Sequence, residues 1–302
     1  TSVIAFSSSR ERDANWLTSY LPNFMAKQFT WGEAVDYTLR TRDSWRNGNG
    51  RKTNIINTGH FTEAHGRSFP VSKISSALIN QYAVDLEELG KSNGTINRCI
   101  SAISTVINHC AEDDLCERPP KFKKRKEAES RVQWYTKQQV EQMCRAAVDV
   151  YERHDLADII QFAAYTGLRQ GELLKLKARD VDLSLNTVHV GGLPDFVTKS
   201  ENYRSVPIHD RIFDPLVKRL EQAKPSVLVF DDWSSIDQLQ RAFTKVRRFI
   251  GLPDGYCFHT LRHSFATWHT EAGTNARTLM ELMGHKNIET TLRYAKVTCK
   301  DK

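Results

Sequence analysis

The chain has 302 residues, about twice the size of a typical domain, and its 43 lysines and arginines exceed its 36 aspartates and glutamates, giving a formal charge of +7. This length predicts two domains, while 40% hydrophobic and 10% aromatic residues allow sizeable cores and exclude wholesale disorder. Because no apolar run approaches the roughly 18 residues that span a bilayer and no signal-peptide pattern opens the chain, we expect neither a membrane protein nor a secreted one.

The first third of the chain predicts a helical domain behind an N-terminal extension. Residues 1–29 open polar and serine-rich and then carry an apolar cluster, which is typical of an extension. From Thr30, apolar residues recur at helical spacing in stretches separated by glycine and asparagine breakers. In the last stretch Ile96, Ile100 and Ile103 form one apolar stripe. We therefore expect residues 30–116 to form a compact four-helix domain.

A basic linker is predicted at residues 117–132. Two consecutive prolines are followed by a run of cations, and prolines here favour a break between folded units. The run can be a solvated hinge or a segment that lies on phosphates, and its place between two domains favours phosphates, as in a clamp around DNA. The candidate DNA-binding residues are Lys121, Lys123, Lys124, Arg125 and Lys126.

Residues 133–302 predict a second domain, mainly helical with a small sheet. Helices are predicted at 136–150, 155–165, 170–177, 234–250, 260–272, 275–283 and 288–295, and short strands at 186–190, 196–198 and 203–208. The stretch 155–165 is almost continuously apolar and is therefore expected to be buried.

Four places in this second domain put reactive side chains where the chain changes direction. Arg169 follows a helix-ending glycine, and His259 and Arg262 are three residues apart, so that they share a face if helical. His285 follows a second helix-ending glycine, and Tyr294 comes nine residues later. Taken singly, a histidine in such a place is more often structural, a tyrosine is more often part of the core, and Arg169 is more typical of an ordinary surface arginine.

Taken together and in order, these motifs resemble the tyrosine recombinase, or phage integrase, family. The Thr-Gly-Leu-Arg-x-Gly-Glu box, the His-x-x-Arg box, the Gly-His box and the later tyrosine agree with that family in identity, order and spacing. The resemblance covers residues of about 30 to 302. It implies a mainly α fold, with an N-terminal helical core-binding (SAM-like) domain and a mixed α+β catalytic domain that has a small antiparallel sheet.

The resemblance also implies a lysine on a β-hairpin turn. Lys199 occupies that place, just before the strand predicted from Tyr203, and Lys175, Lys177 and Arg204 are weaker candidates. The catalytic residues implied in this way are Arg169, Lys199, His259, Arg262, His285 and Tyr294.

The chemistry of this set is coherent in physical terms. A phosphodiester under attack gains negative charge, which Arg169, Arg262 and His285 would stabilise. The tyrosine must lose its proton, and a neutral His259 is a reasonable acceptor, directly or through the phosphate, while a lysine can protonate the departing 5′ oxygen. The implied product is a 3′-phosphotyrosyl ester on Tyr294, which conserves the bond energy for rejoining without ATP.

The residues next to this set are assigned supporting roles. Glu172 is expected to orient Arg169, and Asp180 to brace the same region, although either can be an acid on a helix surface. His263 is expected to point to another face than Arg262 and to be structural or a phosphate contact. No histidine and cysteine spacing matches a metal site, no phosphate-binding loop is present, and no cofactor is expected.

The leading hypothesis is a site-specific recombinase of a phage or mobile element, acting on double-stranded DNA. The alternatives are a type IB-like topoisomerase and a DNA-binding protein that keeps the fold without cutting. As partners the resemblance implies a homo-tetramer on DNA and accessory DNA-bending proteins, with the segment around Val297 passed to a neighbouring protomer. The six cysteines, scattered without a CxxC pair, favour reduced thiols and therefore a reducing cytoplasm. The resemblance implies that this is the cytoplasm of a bacterium or phage host.

Overall fold

The computed structural model describes residues 29–46, 48–127, 132–193, 195–196, 203–221 and 223–298. The chain divides into two compact units, Thr1–Glu129 and Ser130–Lys302. Apart from Phe29, the predicted N-terminal extension lies outside the described residues, as do residues 128–131 of the predicted linker. Each unit has its own hydrophobic core.

The secondary-structure elements of the described part of unit 1 are all helices, joined by loops and one isolated bridge between Thr30 and Pro70. Its helices are α1 (Trp31–Thr41), α2 (Asp43–Arg46), α3 (Gly48–His65), α4 (Ser76–Glu88) and α5 (Asn93–Glu112), with a 3-10 turn at Val71–Lys73. Side chains cap several of these helices: Thr30 and Glu33 form a reciprocal capping box at α1, and serines precede α4 and α5.

Helix α5 supplies the centre of the unit 1 core. Its predicted stripe is buried, with Ile96, Ile100 and Ile103 at most 1% exposed. Trp31 packs edge-to-face on Phe61 with ring centroids 5.0 Å apart. The Trp31 indole donates a hydrogen bond to the Thr62 hydroxyl at 2.9 Å, so this large aromatic is buried without an unpaired polar group.

Unit 2 is mainly helical with a small antiparallel sheet, which confirms the predicted fold class. Its helices are α6 (Lys137–Asp149), α7 (His154–Thr166), α8 (Gln170–Leu173), α9 (Asp210–Leu220), α10 (Ile236–Phe249), α11 (Thr260–Glu271), α12 (Ala276–Met283) and α13 (Glu289–Thr298). Its strands are β1 (Val181–Asp182), β2 (Thr187–Val190) and β3 (Arg204–Pro207), in the order β1-β2-β3 with both pairings antiparallel.

Three elements of unit 2 differ from the sequence-based expectation. Helix α9 is not predicted from the sequence because Pro215 lies inside it and interrupts the helical pattern, although Ile212 and Leu216 are buried on one face. Strand β1 is too short to leave an alternating pattern. Helix α8 ends at Leu173 rather than at 177, and the chain turns there. Among the described residues no helix has the length and apolar character needed to cross a membrane.

Candidate active site

Two left-handed glycines end the helices that carry the predicted site. Gly167 ends α7 with φ of 64°, and Gly284 ends α12 with φ of 61°. A Cβ on Gly167 would lie 2.5 Å from a ring carbon of Phe265, and one on Gly284 would lie 3.0 Å from the Arg204 guanidinium. Both positions therefore require glycine, for conformation and for space.

Arg169 is held from two sides at the start of α8. One guanidinium nitrogen donates to Glu172 Oε1 at 2.9 Å and the other to the Gly284 carbonyl at 3.1 Å, while the Arg169 backbone N–H donates to Glu172 Oε2 at 2.9 Å. The Arg169 side chain remains 27% exposed. It is thus fixed in direction and still open to a ligand.

Three arginines converge on the C-terminal end of α12. The carbonyl oxygens of residues 282, 283 and 284 accept hydrogen bonds from Arg204, Arg262 and Arg169, in that order. The Arg204 bond is 2.9 Å long and the Arg169 bond 3.1 Å. The last carbonyls of a helix lack intrahelical partners and carry partial negative charge, so they can hold cations in place.

Glu172 balances part of this positive charge. Arg204 donates to Glu172 through both terminal nitrogens, at 2.7 and 3.3 Å, and both side chains are only 5% exposed. Burial by itself would raise the pKa of Glu172, but the hydrogen bonds and charge of Arg204, with further help from Arg169, outweigh it and hold the pKa at about 2. Glu172 is therefore ionised at neutral pH.

Arg262 is the most deeply buried of the three arginines in this cluster, at 3% exposure. Besides the carbonyl of Met283 it donates to the Gly167 carbonyl at 2.7 Å, which links the ends of α7 and α12 through α11. Burial, followed by the charge of Arg169, lowers the pKa of Arg262, and the guanidinium stays charged at neutral pH. A buried cation of this kind attracts an anion strongly.

Three histidines accompany the arginines, each with a pKa lowered first by burial. His259 stands at the exposed start of α11, and its ring centroid is 5.1 Å from that of His263. His285 Nδ1 is 2.8 Å from the Thr291 hydroxyl. The pKa of His263 and that of His285 are both about 4, so both imidazoles are neutral at physiological pH.

Tyr294 reaches this cluster from α13 and is 4% exposed. Its hydroxyl lies 2.7 Å from His263 Nδ1. Burial raises the pKa of Tyr294, against a smaller opposite effect of Arg262 and Arg293. The phenol is therefore protonated and the imidazole is neutral. In the tautomer that carries its ring proton on Nε2, the phenol donates this hydrogen bond and Nδ1 accepts it.

Comparison with known proteins agrees with the motifs and the fold. The model of the Phage integrase family matches residues 133–300. The chain belongs to the phage integrase family, the tyrosine recombinases. Members of this family cleave and rejoin DNA.

Relatives and solved structures extend the similarity beyond the catalytic motifs. The chain is 29% identical to tyrosine recombinase XerC of Chlamydia pneumoniae over 248 residues, covering 76% of each chain. It is 30% identical to the integrase of Escherichia phage P2 over 226 residues, 74% of this chain and 61% of that one. Its fold is similar to the Tn1549 transposon integrase in complex with transposon right end DNA, with a TM-score of 0.72 at 19% identity, covering 90% of this chain and 99% of that one.

Five of the six catalytic residues predicted for this tyrosine recombinase lie in the cluster described above. Two of them, His259 and Arg262, lie at the start of α11. Arg169 lies at the start of α8, His285 follows α12, and Tyr294 lies in α13. The sixth, Lys199, lies outside the described residues. Two of the weaker candidates for the same role are engaged in ion pairs: Lys177 with Asp195 at 2.7 Å, and Arg204 with Glu172.

Asp180, expected to brace the region of Arg169, makes its hydrogen bond in the turn that follows α8. Its carboxylate is buried and accepts the backbone N–H of Lys177 at 2.9 Å, which closes the 3-10 turn Ala178–Asp180. Its side chain also lies 3.9 Å from the Arg179 guanidinium. Asp180 therefore stabilises a turn at the start of the sheet.

Two members of the cluster, His263 and Arg204, were named from the sequence without the contacts that they make in the structure. His263 is expected to point to another face than Arg262, and in the structure that face carries His259 and meets Tyr294. Residues four apart share a face of a helix, so the spacing of His259 and His263 could have indicated their contact. Arg204 and Val206 share the buried face of β3, and the residues between and after them are exposed. An arginine on a buried strand face needs an acidic partner. That pattern could have indicated the Glu172 pair.

Proton transfer from Tyr294 to His259 is predicted to be direct or through the phosphate, and the structure places a different histidine beside the tyrosine hydroxyl. Among the contacts of the described residues, the Tyr294 hydroxyl is hydrogen-bonded to His263, and no hydrogen bond joins it to His259. The reason is the position of His259 at the exposed first turn of α11, one turn from the residue that faces α13.

The predicted DNA-binding run is attached to unit 1. Phe122 inserts into the unit 1 core at 8% exposure. Asn97 of α5 is 6% exposed and holds the Arg125 backbone from both sides, donating to its carbonyl at 2.9 Å and accepting its N–H at 2.8 Å. The Arg125 side chain pairs with Glu87 at 2.9 Å, and the residues that stay exposed are Lys121, Lys123, Lys124 and Lys126.

No metal centre accompanies this arrangement in the part of the chain that the structure describes. There, no three side chains among His, Cys, Asp and Glu are grouped in a way that could hold a metal ion. The cations of the described site are the guanidinium groups.

Proposed function

We propose that this tyrosine recombinase is a site-specific enzyme that exchanges DNA strands through a 3′-phosphotyrosyl intermediate on Tyr294. The observation that carries the proposal is the convergence of Arg169, Arg262 and His285 within one cluster that also holds a buried tyrosine hydroxyl. Such a cluster suits a phosphodiester, whose nonbridging oxygens gain charge as a fifth oxygen approaches.

The roles of the residues follow from their protonation states. Arg169 and Arg262 supply fixed positive charge in a site of low polarity, where electrostatic stabilisation is strongest. His285, neutral and oriented by Thr291, can donate its other ring N–H to a phosphate oxygen. The tyrosine oxygen then displaces the 5′ oxygen of the DNA, and Lys199 is proposed to protonate that leaving group.

Neither ATP nor a metal is needed in this scheme. The phosphotyrosyl ester conserves the energy of the broken phosphodiester, so a 5′ hydroxyl of another strand can reverse the reaction. The arginines supply the charge stabilisation that a metal supplies in other phosphoryl-transfer enzymes.

A mobile element is the proposed context, and a tetramer on duplex DNA the proposed assembly. The relatives carry recombinase and integrase names, and the similar structures include a transposon integrase in complex with DNA. These names support strand exchange over the topoisomerase alternative, and the presence of the whole arginine, histidine and tyrosine set supports catalysis over binding alone. We propose that unit 1 grips the duplex, that unit 2 cuts it, and that the protein acts in the cytoplasm of a bacterium or phage host.

The test is the formation of a covalent protein–DNA adduct. The full chain is incubated with nicked duplexes whose flanks are randomised, and the DNA that remains attached to protein in denaturing gel is sequenced. We expect an adduct with the native chain and with the control Tyr151→Phe, and none with Tyr294→Phe. An adduct that survives Tyr294→Phe would contradict the nucleophile.

The DNA sequence selected in this way also distinguishes strand recombination from relaxation of supercoiled DNA. A duplex bearing the selected sequence is mixed with a labelled second duplex and, separately, supplied within a supercoiled plasmid. Joining of strands from the two duplexes supports a recombinase. Relaxed plasmid without any strand transfer would instead favour the topoisomerase alternative.

A further inference from the structure

His263 lies in the site without a role in the scheme above. It sits on α11 between His259, one turn earlier on the same helix, and Tyr294 of α13. We propose that His263 Nδ1 receives the phenol proton of Tyr294 as the tyrosine oxygen attacks the phosphate. This inference rests on the proposed function, because it assigns the proton of the proposed nucleophile.

The geometry of the pair carries the assignment. The hydroxyl oxygen and Nδ1 are 2.7 Å apart, which is a short and direct hydrogen bond. Tyr294 is buried and His263 is partly buried, so water does not compete freely for either group. A proton acceptor must be within such reach of the proton that it takes.

The charges around the imidazole keep it able to accept. His259 and Arg262 face His263 from its own helix, and Arg293 faces it from α13. These groups and burial favour the neutral ring. When DNA is bound, the negative phosphate offsets part of this positive field, so a proton can be held on His263 once the phenol has lost it.

His259 is less suited to the transfer than its place in the His-x-x-Arg box suggests. It is exposed at the start of α11, and its contact within the described cluster is with the His263 ring at 5.1 Å between centroids. From that position it can serve the phosphate or the entering DNA. The acceptor that touches the reacting oxygen is His263.

The step balances as a simple displacement. The O–H bond of Tyr294 breaks and its proton moves to Nδ1 of His263, while the phenol oxygen forms a bond to phosphorus. The bond from phosphorus to the 5′ oxygen breaks, and that oxygen is protonated by a second donor. During rejoining the 5′ hydroxyl attacks phosphorus and gives its proton back to that second group, while the bond from phosphorus to the tyrosine oxygen breaks and His263 returns its proton to that oxygen.

The first experiment separates proton acceptance from hydrogen bonding. In His263→Asn the amide oxygen takes about the place of Nδ1, so it can accept the hydrogen bond but not the proton. We expect adduct formation on the DNA selected above to slow by about 10²- to 10⁴-fold, the usual contribution of a general base, with unchanged DNA affinity. The control His269→Asn alters a histidine of the same helix whose Nδ1 bonds only the Thr274 hydroxyl, and we expect it to cleave normally.

The second experiment makes the attack of the tyrosine oxygen less dependent on a proton acceptor. Replacing Tyr294 by 3,5-difluorotyrosine makes the phenol more acidic, so the proton leaves more readily. We expect this replacement to restore a large part of the rate in His263→Asn and to change the rate little with native His263. A slow His263→Asn that the fluorinated tyrosine does not rescue would assign His263 a structural role and overturn the proposal.

The remaining outcomes are also decisive. If His263→Asn cleaves at the native rate while Tyr294→Phe forms no adduct, this inference fails and the proposed function stands. If the native chain forms no adduct, both fail. Should the variant not fold, nitrogen NMR of the native chain labelled in histidine gives the answer: the proposal requires an unprotonated Nδ1 on His263, and a proton on Nδ1 overturns it.

Discussion

Glu172 is the residue on which the charge balance of the site depends. It holds Arg169 and Arg204 at the same time, and it is ionised although it is buried. Its predicted role in orienting Arg169 fits these contacts and stays a proposal for catalysis. Removing one partner of a buried ion pair leaves an uncompensated charge, which is far more costly than losing an exposed pair.

We therefore expect Glu172→Gln to destabilise unit 2 by about 3–5 kcal/mol. The measurement is urea unfolding of the full chain, with hydrogen exchange of residues 168–176 to assign the change. The control is Glu281→Gln, which removes an exposed ion pair with Arg277 at 3.6 Å; we expect a change within about 0.5 kcal/mol. Equal effects of the two substitutions would contradict a buried role.

Acid should weaken unit 2 through His263 and His285. The pKa of each falls from 6.5 to about 4 on folding, so the unfolded chain binds more protons than the folded one between these values. Stability is therefore fully present above pH 6.5 and is lost as the pH falls toward 4, by at most about 1.4 kcal/mol per pH unit for each histidine.

Urea unfolding at pH 7.0, 6.0 and 5.0 checks this pH dependence. We expect the free energy of unfolding to fall with each step, and the fall to be smaller in His285→Asn, which keeps a polar group near Thr291. A variant with the same pH dependence as the native chain would show that His285 does not contribute.

Sequence alone could identify most residues of the site but not their contacts. Arg169, Arg262 and Tyr294 stand out because their motifs have a recognisable order. The bond from Tyr294 to His263 could not be foreseen, because it depends on how α13 packs against α11. The pairing of three arginines with the backbone of residues 282–284 was equally hidden, since carbonyl groups leave no trace in a sequence.

At the scale of elements, the basic segment is part of the helical unit rather than a free tether. Asn97 satisfies both backbone groups of Arg125 and donates to Glu127 at 2.7 Å. Phe122 adds an apolar anchor. The predicted linker thus has its exposed lysines on a fixed backbone, which lowers the entropy lost when they contact phosphates.

We expect Asn97→Ala to release this segment. The substitution removes the hydrogen bonds to residues 125 and 127, so trypsin should cut after the lysines of the run several times faster than in the native chain. Timed digestion followed by mass spectrometry measures the rate. The control is Asn108→Ala on the same helix, where the amide bonds to Ser104, and we expect it to leave the cleavage rate unchanged. If Asn97→Ala were cut no faster than the native chain, the attachment of the segment through Asn97 would be contradicted.

The elements themselves were predictable to different degrees. Helices with side-chain caps and a clear apolar stripe, such as α5 and α6, leave both a start signal and a periodicity in the sequence. Helix α9 was hidden by Pro215, and β1 has two residues. The docking of Phe122 was also missed, because one aromatic among cations looks like part of a solvated run.

At the scale of the whole molecule, the excess of positive charge predicts a strong salt dependence. Each lysine that neutralises a phosphate contributes about 0.9 to the slope of log affinity against log salt. The four exposed lysines of the basic segment are Lys121, Lys123, Lys124 and Lys126. If all four lie on phosphates, they account for a slope of about 4.

We expect the fourfold change of these lysines to glutamine to reduce the slope by about that amount. DNA binding is measured by fluorescence anisotropy between 50 and 300 mM salt, roughly the range over which such contacts weaken binding. Arg125→Gln serves as the control, because the Arg125 side chain is already paired with Glu87. We expect this substitution to change the slope less than replacing any one of the four lysines. An unchanged slope in the fourfold variant would place the DNA elsewhere.

Three arginines donate hydrogen bonds to consecutive backbone carbonyls, so the site responds differently to substitutions than to insertions and deletions. The arginines bind the backbone of residues 282–284 and not its side chains. Substitutions at residues 282 and 283 that keep their packing leave this recognition intact. Inserting or deleting a single residue there would shift every carbonyl against its arginine at once. The spacing of the chain at this turn is therefore under stricter control than its amino-acid identity.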